Sequence, residues 1–324
     1  MDHRRFDVVC AGIATWDTLF TGVDRDLMKI DGILSKGYYA SSGGDAVNAA
    51  VSMARLGLRT AVCASMGEDT CADLVIGELQ KAGVDCSYLH QSPDVHTASP
   101  VILVDPEGER HIIRVPDNGN HFFTQEMVSD ELLANTRHLH VASANVLKRL
   151  DGKPLGILFE RAHRQGLTTS MDASYDRDGK WMKNIEDALH NCDIFIPSMQ
   201  EASCYAGSTD PDEICSFFSQ FPLKIFGIKL GEKGVMVTDF KQTWSMPTLY
   251  RKKPVDTTGA GDAFLAGFVS AWLKGYDIPS SAAVGSAQSY SVLSAIGANC
   301  SAGTWEDALK LLSENQIVLR KRED

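Results

Sequence analysis

Short apolar runs separated by glycines and polar breaks organise this chain from its first residues. Residues 6–14 (FDVVCAGIA) are an apolar, valine-rich run that ends near Gly12, the pattern of a buried strand. Residues 17–42 then lose any regular spacing. Over 45–56 the spacing becomes helical, with Val47, Ala50, Val51 and Ala54 on one stripe and Gly57 placed to stop the helix. A strand at 60–66 and a helix from Asp69 to Ala82, closed by Gly83, repeat the unit. Residues 97–118 interrupt it and read as a hairpin turning at Asp105–Gly108. Segments at 137–142, 155–165, 167–172, 184–190, 193–196, 199–206, 210–220 and 223–230 then resume the alternation. Residues 234–250 read as more strand, with GVMVTD as one arm of a hairpin. Helices follow at 260–274, 279–295 and about 304–314, before a charged tail, LRKRED. Strand–helix alternation predicts an α/β fold on a mostly parallel sheet. The stretches 17–42 and 97–118 are expected to meet as a small separate sheet, a lid on a single domain spanning 1–324.

Composition narrows the classes. The chain has 324 residues, 44% of them hydrophobic, enough for a large core; length alone allows one large α/β domain or two smaller ones. A formal net charge of −11 disfavours nucleic acid and anionic membranes as partners. It leaves room for a nucleotide, because clustered backbone N–H groups bind phosphate inside an acidic protein. The eight cysteines form no C-x-x-C pair and no Cys/His zinc spacing, and several sit in apolar runs. Reduced, buried thiols and a cytoplasmic location are the expectation. His3, Arg4 and Arg5 precede an apolar stretch that is short and broken by Asp7, so no signal peptide is expected. No apolar run approaches the ~20 residues of a membrane span.

The residues that carry chemistry lie at Asp256-Thr-Thr-Gly-Ala-Gly-Asp262, directly before the apolar helix at 260–274. Gly259, Ala260 and Gly261 make a helix N-terminus with small side chains, where N–H groups lack intrahelical partners and the helix dipole favours an anion. That is an anion hole suited to a phosphoryl group. Asp262 beside it is placed to take a proton from an attacking hydroxyl. A capped glycine turn is the bland alternative. A second signal is Ser41-Ser-Gly-Gly-Asp-Ala-Val-Asn48. Gly43 and Gly44 permit close approach, while Asp45 and Asn48 offer polar groups to a polyol or simply cap the helix.

In this order and separation the two motifs resemble the signatures of the ribokinase-like (PfkB) carbohydrate kinase family, over roughly Phe6 to Trp305. The resemblance implies a three-layer ribokinase-like fold with a small β-sheet lid, and an ATP-dependent kinase for a small sugar or sugar acid. It implies Asp262 as base, Gly259–Gly261 as anion hole, and Asp17, Gly43, Gly44 and Asn48 at the sugar. Lys229-Leu-Gly-Glu-Lys-Gly234 resembles the loop beside the ATP phosphates, which brings in Lys229, Gly231 and Gly234. Glu201 fits the family's Asn-x-x-Glu element, whose glutamate orders water around Mg²⁺; here Ser198 replaces the Asn. Gly297 and Ala298 fall in a stretch that resembles the adenine loop, and Asp256 and Thr258 match a segment that holds a monovalent cation such as K⁺ in many relatives. Lid-to-lid homodimers occur in some relatives. Asp172-Ala-Ser-Tyr-Asp-Arg177 resembles a strand-end stretch of several sugar kinases.

Substrate choice is less defined. Asp45 stands where relatives acting on sugar phosphates frequently carry lysine, so a neutral sugar or a sugar acid is expected, with Arg114 and Arg110 as carboxylate clamps or plain solvated residues. Phe20, Tyr38 and Tyr39 would stack on a base in a nucleoside kinase, or pack lid on body. A catalytically inactive sugar-binding regulator is the reading from another class. A dinucleotide-dependent oxidoreductase is excluded, since no G-x-G-x-x-G follows the first strand.

Overall fold

The computed structural model describes residues 4–322 apart from 108 and 251. His3, Gly108 of the expected turn, and Glu323 and Asp324 of the tail lie outside the described residues. In chain order the first part holds β1 (Phe6–Ala11), β2 (Thr15–Thr21), β3 (Gly37–Gly43), α1 (Asp45–Arg55), β4 (Thr60–Gly67), α2 (Thr70–Lys81) and β5 (Asp85–Ser92). There follow β6 (Val101–Val104), β7 (Arg110–Ile113), α3 (Asp130–Ala134), β8 (Thr136–Ala144), α4 (Lys153–Arg164), β9 (Thr168–Ala173), α5 (Met182–Leu189) and β10 (Ile194–Phe195). The last part holds α6 (Met199–Ala206), α7 (Pro211–Phe218), β11 (Ile225–Lys229), β12 (Val235–Thr238), β13 (Thr243–Met246), α8 (Ala260–Leu273), α9 (Ile278–Leu293) and α10 (Trp305–Glu314).

The large sheet runs β13-β12-β11-β10-β9-β8-β1-β4-β5. Its pairs are parallel from β11 to β5. Only the β11–β12–β13 end is antiparallel. Strand β1 explains the layering: Phe6, Val9 and Ala11 face one apolar cluster, Val8 and Cys10 the other. Side chains alternate across a strand, so an all-apolar strand must be covered on both faces. Helices α4 to α7 cover the first face, and α1, α2 and α8 the second. Phe159 and Phe268, one per face, are fully buried; each such side chain contributes about 1.5–3 kcal/mol.

The second sheet, β3-β2-β6-β7, is built from the two irregular stretches. Strands β2 and β3 pair antiparallel, β2 and β6 parallel, and β6 and β7 antiparallel. Phe20 and Tyr38 pack with ring centroids 5.3 Å apart. Two details depart from expectation. The run 6–14 is not one strand: it ends at Ala11, and the chain enters the second sheet at Thr15. Strand β5 (DCSYLHQS) was not anticipated; it lies at the sheet edge and contains no β-branched residue to signal it. Among the described residues no helix is long and apolar enough to cross a membrane.

Candidate active site

The site forms where β8, β9 and β11 end and α8 begins, the carboxyl edge at which open α/β sheets hold ligands. Gly259 adopts φ 75° as the N-cap of α8. Any side chain there would be strained, and a Cβ would lie 2.3 Å from the Ala298 carbonyl oxygen. The helix start is thereby pressed against the loop 295–301. Helical bonding begins with the Ala263 N–H donating to Gly259 O at 2.9 Å. The N–H groups of Gly261 and Asp262 have no acceptor among the described residues. Ala260 is a correction to the expectation: its N–H turns back to Thr257 O at 3.3 Å. The Ser289 hydroxyl anchors the same turn by donating to Ala260 O at 2.7 Å.

This helix start opens on a cavity of about 930 Å³ whose wall includes Lys229, Glu201, Ser198, Gly231, Gly234 and Asp262. Lys229 ends β11 with Nζ 2.9 and 3.0 Å from the two oxygens of Asp172 on β9. Its Nζ is also 3.1 Å from where a Gly261 Cβ would sit, so glycine there lets the ammonium approach the helix start. Burial alone would lower the Lys229 pKa; the carboxylates of Asp172, Glu201 and Asp262 outweigh it and raise it. Asp262 is pushed well above the ordinary carboxylate range by burial, then by the charges of Asp45 and Asp172; the Asn48 hydrogen bond and Lys229 oppose the shift. Burial likewise raises Glu201, against the pull of Lys229.

Ser198 and Glu201 form a capping box at the start of α6. The Ser198 N–H donates to Glu201 Oε2 at 2.8 Å, and the Glu201 N–H to Ser198 Oγ at 3.3 Å. Serine in place of the family's asparagine therefore keeps a local role. Asp256 Oδ1 accepts from the Thr258 N–H at 2.9 Å and its hydroxyl at 2.7 Å, while Oδ2 accepts from the Gly297 N–H at 3.2 Å. Arg110 of β7 reaches over to donate to Thr258 Oγ1 at 2.7 Å. Gly297 and Ala298 stand behind the start of α8, not on the cavity wall.

On the other side of Asp262 lies the small sheet. Asn48 on α1 donates through Nδ2 to Asp262 Oδ2 at 2.8 Å. Asp17 on β2 accepts from the Thr15 hydroxyl at 2.6 Å. A Cβ on Gly43 would fall 2.3 Å from Asp17 Oδ2, so this glycine gives the carboxylate its space. Gly44, at φ 88°, begins α1. Burial raises Asp17, as does Asp45, while the Thr15 hydroxyl and Arg114 hold it down. Arg114 is exposed beyond β7 and is lowered by burial of its head group and by the neighbouring Arg177. Asp45 does not stand as an unpartnered anion: its Oδ2 accepts from Ser143 at 2.5 Å and from Ser174 at 3.0 Å.

Ser143, Ser174 and Asn299, and the pairing of Asp172 with Lys229, were not anticipated as parts of the site. Asp172 and Asn299 fall inside stretches the sequence singled out, but nothing local shows what they touch. Among the described residues no group of three or more His, Cys, Asp or Glu side chains could hold a metal ion directly. All eight cysteines are free thiols.

Solved structures with this architecture include proteins named as sugar and nucleoside kinases. Arabidopsis thaliana ribokinase complexed with ribose and ATP superposes with a TM-score of 0.79 at 21% identity, covering 95% of this chain and 98% of that one. A putative ribokinase II from E. coli, in complex with ATP and Mg²⁺, gives 0.82 at 18% identity over 95% and 99%. The family model described as pfkB family carbohydrate kinase matches residues 6–304, and the chain belongs to that family. Among its curated relatives, an ATP-dependent ribose-1-phosphate kinase from Halopiger xanaduensis is 30% identical over 84% of this chain and 86% of its own length. An ATP-dependent 6-phosphofructokinase from Thermoanaerobacterium thermosaccharolyticum is 27% identical over 92% and 91%.

Proposed function

We propose the following division of labour in this ATP-dependent sugar kinase. The acceptor hydroxyl lies between Asp262 and the γ-phosphoryl group of ATP in the cavity. Asp262 takes the hydroxyl proton as the oxygen attacks in line, and the Gly261 and Asp262 N–H groups and Lys229 offset the charge on the phosphoryl oxygens. Asp17 and Asn48 orient the sugar, and the small sheet closes as a lid that excludes water. The single observation that carries this reading is Asp262 standing beside two unpartnered N–H groups and a buried lysine at the cavity wall.

Glu201 fits a water-mediated hold on Mg²⁺. It lines the cavity, and its Oε1 accepts no hydrogen bond among the described residues. The ion, when bound, would offset phosphoryl charge. The donors expected for K⁺ are already engaged in this arrangement, so an ion would have to share them. Both Asp256 oxygens accept hydrogen bonds, and Thr258 Oγ1 already meets the Arg110 guanidinium.

For the acceptor we keep a small neutral sugar or sugar acid. Two observations favour a sugar phosphate as a second reading: Arg114 and Arg177 lie close enough to feel each other's charge beside Asp17, and Asp45 Oδ2 already accepts from two hydroxyls. Relatives named for sugar phosphates agree with it. The test is ADP release across neutral sugars, sugar acids, sugar phosphates and nucleosides. A nucleoside as best acceptor would overturn both readings; a compound that binds without turnover would favour an inactive regulator. We also propose that the lid pairs with that of a second copy. Tyr38 and Tyr39 on β3 and Ile112 and Ile113 on β7 are exposed on its edge strands. A monomeric mass by light scattering would contradict this.

A further inference from the structure

Asn299 lies in the loop behind α8, and no role was expected for it. It is buried, at 4% exposure, as is Asn48. Its Nδ2 donates to Ser42 O at 3.0 Å and to Asn48 Oδ1 at 2.9 Å. A primary amide nitrogen carries two hydrogens, and both are used. Ser42 O is a backbone carbonyl and only accepts, so it dictates which end of the Asn299 amide faces it. With that end fixed, Asn48 must turn its own oxygen toward Asn299. Its nitrogen is then left to donate to Asp262 Oδ2 at 2.8 Å. The polarity of the whole chain of amides is set at Ser42, at the root of the lid strand β3.

We infer that Asn299 is a positioning residue for phosphoryl transfer, fixing the Asn48 amide so that it donates to Asp262. The inference rests on Asp262 acting as base. The charged groups facing Asp262 are Asp45 from α1, Asp172 from β9 and Lys229 from β11. Two of the three are carboxylates, which disfavour a second anion, so the donor from Asn48 matters to its ionised form. Reversed, Asn48 would present its oxygen and stabilise only the protonated, inactive carboxyl. Asn299 thereby links the lid root, the loop behind α8 and the base through three hydrogen bonds, the two it makes itself being buried. It touches neither sugar nor ATP in this account.

The test is the pH dependence of kcat/KM for Asn299→Asp, with thermal unfolding measured alongside. The introduced carboxylate cannot donate and attracts the Asn48 amide nitrogen, which turns the Asn48 oxygen to Asp262. The acidic limb should move up by about one pH unit. That is about a tenfold loss well below the wild-type limb, shrinking toward no loss well above it. In an Asn48→Ala background the same substitution should move the limb no further. Asn299→Ser, which shortens the side chain and removes the double donor, should shift the limb in the same direction and carries the test if Asn299→Asp does not fold. A profile that keeps the wild-type limb, scaled or unscaled, overturns the inference. Asp262→Asn separates the two levels: if it is inactive while the Asn299 profiles do not move, only the positioning role fails. If it is active, the base assignment fails first.

Discussion

Lys229 sits among the carboxylates of Asp45, Asp172, Glu201 and Asp262, and removing it should be costly in a specific way. Its side chain is 16% exposed and that of its partner Asp172 only 6%, with the contacts at 2.9 and 3.0 Å. Losing one member of such a pair strands a buried charge and costs about 3–5 kcal/mol. Unfolding entropy of about 2.1 cal/mol/K per residue, over 324 residues, gives roughly 0.7 kcal/mol/K. Lys229→Met or Asp172→Asn should therefore lower Tm by about 4–7 °C. The Lys229→Met/Asp172→Asn double variant strands neither charge, so it should cost less than the sum of the single variants by about 3 kcal/mol. The pH sign follows from the raised pKa of Lys229. Its stabilisation is fully present below the unfolded lysine value of about 10.4 and is lost as pH rises through the folded value. The gap to Lys229→Met should thus hold from neutral pH to about pH 10 and narrow above it. Thermal unfolding of the four proteins across pH is the assay. Single variants within 2 °C of wild type (against the ~4–7 °C above), or strictly additive losses, would refute the reasoning.

Other expectations are simpler. Gly43→Ala drives a Cβ into the Asp17 carboxylate, and should raise KM for the sugar by more than about tenfold while KM for ATP stays near wild type; isotope-labelled initial rates separate the two. Arg110→Met removes the contact that ties β7 to Thr258 and should increase hydrolysis of ATP relative to sugar phosphorylation; an unchanged ratio contradicts this. Burial would raise Asp193, but hydrogen bonds from His163, Lys224 and the Thr169 backbone hold it down at about 2. Its contribution is present above the unfolded value and lost as pH falls through the folded one. Asp193→Asn should therefore be destabilised by about 2 kcal/mol at neutral pH, a gap that closes between about pH 4 and pH 2.

The parts of the site readable from sequence are those whose chemistry is local. Gly259, Gly261 and Asp262 are adjacent, so a helix start with an acid beside it shows in seven residues. Gly43 and Asn48 share one turn. Asn299 is different: it meets Asn48 across 251 positions, and Lys229 meets Asp172 across 57. Neither partner has a local feature that marks it. Asp45 shows the same limit. Its position after two glycines suggested an anion beside the substrate; that Ser143 and Ser174, brought in by the ends of β8 and β9, both donate to its Oδ2 could not be read there. The capping box was legible, since Ser198 and Glu201 have the S-x-x-E spacing, yet the family pattern drew the reading toward water around Mg²⁺. In the fold, strands with β-branched cores announced themselves, whereas β5, polar and at an edge, did not.

Asp262 as the base is the central claim, and the most direct measurement is ADP release by Asp262→Asn with the best acceptor from the substrate panel, beside equilibrium binding of that acceptor. The asparagine cannot take the proton but preserves shape, so kcat should fall by at least about 10³-fold while the acceptor binds within a few-fold of wild type. Near-normal turnover by the folded variant would contradict the assignment.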